Sequence, residues 1–380
     1  MEQFGSSKLV LVPTAEHKRL LVQISALVRA GYQHRNLLAE EFRRTAAHAA
    51  EFINPPRDRA GNLLPRPALQ IDGAASRGFI FTTCARMGRG VTAERLAAYL
   101  GSKPIHFELP TKTGKGIYLQ LPVLRVLWPY DGRPASFLKN FIAAFDYATG
   151  LNFSFSVKGD RSRVGFDALP VLTGLSIGAS IGLVIVERIN TRVSRGTAAF
   201  NLWDLLGQFT RTSGIPVLCM ATSGATANLM ESDSAAGELS AGGSLQLSPL
   251  AADSQTWREL CALAYQRVTG DQRPAPEWLS EALGVVVRGR VGLVEKVCRE
   301  VRRVVPRADW RQPIGNFVSL ATGALFTDAP HLDTAAKLDD VRGITLSSLI
   351  RYGDWLSPGQ AHVMVPGLQY QPASARIHGK

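Results

Sequence analysis

"GFIFTTCARMGRGVTAERLAAYL", residues 78–100, decides how this chain is read. An apolar, β-forming segment passes through a glycine-bearing loop into a segment with helical spacing. A phosphate-binding loop has the pattern G-x-x-x-x-G-K-[ST] between a strand and a helix, because backbone N–H groups and the helix N-terminus together attract phosphate. Here the stretch reads Ala85-Arg86-Met87-Gly88-Arg89-Gly90-Val91-Thr92. Gly90 and Thr92 are in register with the second glycine and the closing hydroxyl. Ala85 stands where the first glycine belongs, and Val91 where the lysine belongs. The loop therefore has the outline of a nucleotide site without its cation. The structural alternative is an ordinary strand–helix turn, with Gly88 for a positive φ and Thr92 as a cap.

Outward from this loop the chain alternates between strand and helix patterns. Residues 14–52 carry apolar residues at helical spacing and predict two helices, closed by the linker "NPPRDRAGNLLPRP". After the loop and its helix, "IYLQLPVLRVLWP" is extended with a break at Pro122. "PASFLKNFIAAFDYATG" is a helix, "GLVIV" a strand, "TAAFNLWDLLGQFTRTSG" a helix and "IPVLCMAT" a strand. Strands interleaved with helices imply a mostly parallel sheet covered on both faces. Residues 231–247 are small and polar and read as a flexible surface loop. "DSQTWRELCALAYQRV", "PEWLSEALGVVV" and "RVGLVEKVCREVRRVV" predict a small helical subdomain. The expected division is an N-terminal helical arm and linker (1–66), an α/β core (67–250), a helical lid (251–312) and an unassigned tail (313–380).

At 46% apolar and 19% charged residues, the chain of 380 residues can bury a substantial core, which excludes a disordered protein. A formal charge of +12 favours a polyanionic partner. The four cysteines form no CxxC pair, and the scattered histidines supply no ligand-spaced group, so reduced thiols and no metal site are expected. The N-terminus lacks a basic start followed by a long apolar run. "ALPVLTGLSIGASIGLVIV", residues 168–186, has the length of a membrane span, but Pro170, its glycines and the change of character at Gly182 read as helix, turn and buried strand. The expected location is cytoplasmic, without a membrane partner.

Two further stretches bear on the loop. "LVIVERIN", residues 183–190, is an apolar strand ending in Glu187-Arg188; in P-loop ATPases such a strand ends in Asp-Glu, for Mg²⁺ and for water. Glu187 could reach a metal-bound water or pair with an arginine, and Arg188 cannot act as a base. "GIPVLCMATSGA" supplies the next strand, ending at Thr222, a polar sensor position. With "LRVLWPYDGRPASFLKNFIAAFDYATGLNFS", "IGLVIVERIN" and "LLGQFTRTSGIPVLCMATSGA" in this order, the chain resembles the AAA+ transposition regulators TnsC and TniB, related more distantly to MuB. The likeness spans about residues 70–305, and the Pro-Tyr-Asp-Gly turn is its most specific piece.

The resemblance implies an AAA+ P-loop NTPase-like fold and a regulator that binds nucleotide and duplex DNA, assembles with other AAA+ subunits, and links a TniQ-type targeting protein to a transposase. The departures are systematic. Val91 forfeits charge-assisted bonds of about 1.5–3 kcal/mol each. Arg188 places a cation where a carboxylate belongs, and "DSAAGELSAGG" lacks the Ala-Arg-Arg segment of the family. A pseudo-ATPase follows, with a degenerate nucleotide site at Ala85, Gly88, Arg89, Gly90, Val91, Thr92, Glu187, Arg188 and Thr222. No catalytic residue and no resident cofactor are expected; the alternatives are a slow ATPase or switch that holds ATP with Mg²⁺ through backbone N–H groups, and a module that regulates an active paralogue without DNA. By the same resemblance, Lys112, Thr113 and Lys115 in "ELPTKTGKGIYLQL" are the DNA-contact candidates. The basic stretch 287–307 reads first as a solvated helix, with a sensor arginine at Arg288 or Arg290 as the alternative, which would have little to sense without a competent phosphate site.

Overall fold

Apolar strands with period-two burial to opposite faces form the centre of the molecule. The computed structural model describes residues 12–53, 58–61, 77–111, 114–153, 168–337 and 351–361. Five strands, β1 (Phe79–Thr83), β4 (Val123–Leu127), β5 (Leu183–Ile189), β6 (Val217–Thr222) and β7 (Ser244–Leu247), make one sheet in the order β4-β5-β6-β1-β7. Every pairing within it is parallel. Along β5, Val184 and Val186 enter one core while Leu183 and Ile185 enter the other; along β6, Val217 and Cys219 oppose Leu218 and Met220. Both faces are therefore dry, which is why these strands read as continuous apolar runs.

Helices cover the two faces. On one side α4 (Pro134–Thr149), α5 (Ala168–Gly178) and α6 (Thr197–Ser213) bury Phe137, Phe141, Leu175, Trp203 and Phe209. Each such side chain contributes roughly 1.5–3 kcal/mol relative to exposure. Helix α6 presents Ala199, Leu202, Trp203, Leu206 and Phe209 on one stripe and ends at Gly214, in the left-handed region with φ +65°. On the other side lie α1 (Ala15–His34) and α3 (Arg89–Leu100), with Leu20, Ile24, Met87 and Leu96 in one cluster with Phe79 and Phe81. The second N-terminal helix, α2 (Glu40–Ile53), packs on α5. The N-terminal helices thus belong to the body of the fold. Between α3 and β4, β2 (Ile105–Thr111) and β3 (Gly114–Gln120) form a separate antiparallel hairpin.

The flexible loop expected at 231–247 is instead regular structure. Entered from α7 (Ser223–Leu229), it contains α8 (Asp233–Ser240) and the edge strand β7, paired with β1 from Ile80↔Ser244 to Thr83↔Leu247. Ala235, Ala236 and Leu239 are buried. Gly207 of α6 lets α8 come close: a Cβ added there would lie 3.3 Å from Glu238 Cβ.

The lid comprises α9 (Gln255–Thr269), α10 (Glu277–Val287) and α11 (Val291–Val304), closed around Trp257, Tyr265, Leu283, Val297 and Val301. The same core takes in Trp310, then Phe317 of α12 (Phe317–Ala324), Leu332 of α13 (Ala329–Lys337), and finally Trp355. Among the described residues, chain beyond residue 312 therefore shares the lid core. Among the described residues no helix is long and apolar enough to cross a membrane; the span-length stretch at 168–186 is α5, a turn and β5.

Candidate functional site

The loop between β1 and α3 is held from both sides. Arg86 and Gly88 take positive φ values of 66° and 78°. For a non-glycine this conformation costs roughly 1–2 kcal/mol and must be imposed by its surroundings. The Arg86 carbonyl accepts the Gly292 N–H at 2.7 Å, at the start of α11. A Cβ at Gly292 would sit 2.7 Å from that oxygen, so only glycine permits the contact. The Arg86 guanidinium bonds the Asp328 carboxylate at 2.8 Å, and Lys296 reaches the same carboxylate at 2.7 Å. Burial pushes the Asp328 carboxyl up, but the hydrogen bonds from Lys296 and Arg86 outweigh it and hold the group below the ordinary carboxylate range.

Thr92, where a magnesium-binding hydroxyl is expected, is buried and already bonded. Its Oγ1 lies 3.1 Å from His17 Nε2 and 3.2 Å from the Gly88 carbonyl. His17 Nδ1 faces the Thr14 N–H at 3.2 Å, within a capping box at the start of α1. Because that N–H can only donate, Nδ1 accepts and Nε2–H donates to Thr92. The Thr92 hydroxyl then donates to Gly88. Burial holds the imidazole below its ordinary value, against the opposing pull of Glu16, which favours this neutral form.

Glu187 is buried at the end of β5, and Arg125 of the neighbouring strand grips it with two prongs, Nε–Oε1 at 2.6 Å and Nη2–Oε2 at 3.1 Å. Of the two expectations for Glu187, the structure shows the pairing with an arginine, and the partner is Arg125 of β4. Arg188 is exposed, in the left-handed region at φ 61°, where the β5–β6 pairing shifts register between Val186 and Ile189. A Cβ at Gly90 would lie 3.9 Å from Glu187 Oε2, so this carboxylate does border the loop.

Thr222 caps α7 and donates to Asp354 Oδ1 at 2.5 Å. The Ala85 N–H donates to the Asp354 carbonyl at 2.5 Å, and Arg290 to the Trp355 carbonyl at 2.7 Å. Arg288 turns away to Asp333 and the Leu332 carbonyl. Arg89 is half-buried, with its Nη1 3.4 Å from the Thr83 carbonyl. Arg125, His17, Asp328 and Asp354 were not candidates from sequence. No local pattern ties residue 354 to residue 85, or 125 to 187.

Beside the loop is a cavity of about 370 Å³ between the α1 cap, the loop and the lid. Val91 forms part of its wall with Met87, Leu250 and Val291, while Lys296 and Arg299 stand at α11. This surrounding does not fit a magnesium-bound triphosphate. The lysine position is apolar, the Thr92 hydroxyl is shared between His17 and Gly88, and Glu187 is neutralised by Arg125. Among the described residues no group of three or more His, Cys, Asp or Glu is placed to hold a metal. All four cysteines are buried and free.

The hairpin carries Lys115, exposed and 3.4 Å from Glu108 on the paired strand. Lys112 and Thr113 lie outside the described residues.

The parallel sheet, its two helical layers, the loop after β1 and the helical lid define an α/β fold. Among solved structures, the chain is similar to a Walker-type ATPase of Pyrococcus abyssi, at 12% identity and a TM-score of 0.43 over 87% of this chain and 96% of that one. It is also similar to the Orc1 protein of Aeropyrum pernix in complex with DNA, at 16% identity and a TM-score of 0.41 over 80% of this chain and 68% of that one. No family model and no curated protein matches the chain.

Proposed function

We propose that this chain is a catalytically degenerate, TnsC/TniB-like AAA+ protein, a DNA-associated adaptor that links target-site selection to a transposase without hydrolysing ATP. One observation carries the reading: the three side-chain positions an ATPase needs are Val91 on an apolar wall, Thr92 committed to His17 and Gly88, and Glu187 committed to Arg125. The ordered sequence stretches, above all the Pro-Tyr-Asp-Gly turn, support the transposition context. The charge of +12 and the exposed Lys115 on a separate hairpin support duplex DNA as a partner, alongside a TniQ-type protein, the transposase and further AAA+ subunits.

Two measurements test it. Phosphate release from ATP with Mg²⁺ stays at background, and turnover above background removes the pseudo-ATPase reading. Duplex DNA of random sequence is shifted at modest salt, and Lys112→Ala with Lys115→Ala lowers the salt slope by about 2, roughly 0.9 per phosphate contact. An unchanged slope removes the hairpin from the interface. Lys296 and Arg299 at the cavity beside Val91 favour a second reading, a switch that binds nucleotide without magnesium-dependent hydrolysis. Micromolar binding of a fluorescent ATP analogue would select it.

A further inference from the structure

Residues 351–361 come back from far along the chain and lodge between the core and the lid. Asp354 Oδ1 accepts three hydrogen bonds: from the Thr191 N–H at 2.7 Å, the Thr191 hydroxyl at 2.7 Å and the Thr222 hydroxyl at 2.5 Å. Its main-chain carbonyl takes the Ala85 N–H. On either side, the Gly353 carbonyl accepts from the Gly224 N–H at 3.1 Å, and the Leu356 carbonyl from the Ser223 hydroxyl at 2.9 Å. From the lid, Arg290 donates to the Trp355 carbonyl and lies over the Trp355 ring, which stacks on His331 with planes 7° apart. The approach is close enough that a Cβ at Gly224 would meet Thr191 Oγ1 at 2.2 Å and Gly353 at 3.0 Å.

These donors have a common character. A backbone N–H just after the first strand, hydroxyls at two strand ends and a buried lid arginine converge on one small region. That is a cradle for oxyanions, and a carboxylate oxygen with three donors is a fully satisfied occupant. Arg89 is half-buried at the same place, and burial disfavours its charge while Asp354 supports it.

We propose that residues 353–356 are an internal ligand: the Asp354 carboxylate and the neighbouring carbonyls stand where a nucleotide's phosphates would act, and they fix the lid against the core in one geometry. The inference rests on the pseudo-ATPase reading and supplies its physical means. The class of molecule that competes for the cradle is a compact polyanion, and inorganic pyrophosphate is the probe.

The test compares the full-length chain with Asp354→Ala. Amide hydrogen exchange in peptides covering 83–90 and 222–226 should rise about tenfold or more in the variant, the scale of a lost charge-assisted hydrogen bond. Titration calorimetry should show pyrophosphate bound about tenfold or more tightly by the variant than by the wild type. Asp354→Asn, which keeps the shape and an acceptor oxygen but drops the charge, falls between the two. Should Asp354→Ala fail to fold, Thr222→Val gives the exchange reading alone through one lost donor, and unchanged exchange in that variant overturns the proposal. Equal exchange in variant and wild type, or equal pyrophosphate affinity, overturns the proposal. ATP turnover by the wild type would sink the proposed function and leave the exchange contrast standing, so the two failures are separable.

Discussion

Replacing Arg125 with methionine isolates the carboxylate of Glu187 and measures what holds it. The pair is two-pronged, with one bond at 2.6 Å and the other at 3.1 Å. The Glu187 side chain is 8% exposed and that of Arg125 38%. Exposed pairs contribute about 0–1 kcal/mol, whereas removing one partner of a buried pair costs about 3–5 kcal/mol. With one member buried and the other screened over more than a third of its surface, the expected cost is about 2–3 kcal/mol. At about 2–4 °C per kcal/mol for a unit of this size class, Tm falls by roughly 4–12 °C. Replacing both residues, as Arg125→Met with Glu187→Leu, removes the stranded charge and recovers most of the loss, giving a coupling energy on the order of 2 kcal/mol. Urea or calorimetric melts of the four proteins in the cycle supply the answer. A single substitution costing less than about 0.5 kcal/mol, or a double no better than the single, refutes the claim that Arg125 neutralises Glu187.

Val91→Lys restores the missing cation but not the other parts, so phosphate release from ATP stays at background; brisk turnover would show that Thr92 and Glu187 are free to act. Thr92→Val leaves the Nε2–H of His17 without its acceptor and lowers stability by about 1–3 kcal/mol in urea melts. Stability also carries a pH signature. His17 is held below its ordinary 6.5, so the unfolded chain takes up the proton first as pH falls. This contribution is complete above about pH 6.5 and is lost below it, towards the folded-state value. His17→Asn should flatten the difference between melts at about pH 8 and 5.5, and an unaltered difference would assign the slope to other groups.

Much of the architecture was legible because the central strands are apolar on both faces. "GFIFTTC", "GLVIV" and "IPVLCMAT" have no competing helical pattern, and Gly214 and Gly150 mark helix ends as glycine should. The missing loop lysine was visible as a single residue in a known register. What escaped notice was set by tertiary contact. Residues 231–247 carry small side chains whose propensity is weak, and only their burial against α6 and β1 makes α8 and β7. Arg125 reads as one charge in an apolar strand, and its role exists only because β4 lies beside β5. Asp354 sits in "RYGDWLSPGQ", a stretch with no helical or strand period at all. Its partners Ala85, Thr191 and Thr222 are separated from it by most of the domain.

Asp328 serves two masters. Arg86 reaches it from the loop and Lys296 from the lid helix, and its side chain is only 2% exposed. Neutralising that one acid would unfasten both at once, so a change at a residue remote in sequence from the strand–loop–helix would be felt in each half together. The loop and the lid therefore share one fastening, and on the proposed reading their relative angle is chosen at folding and not by turnover.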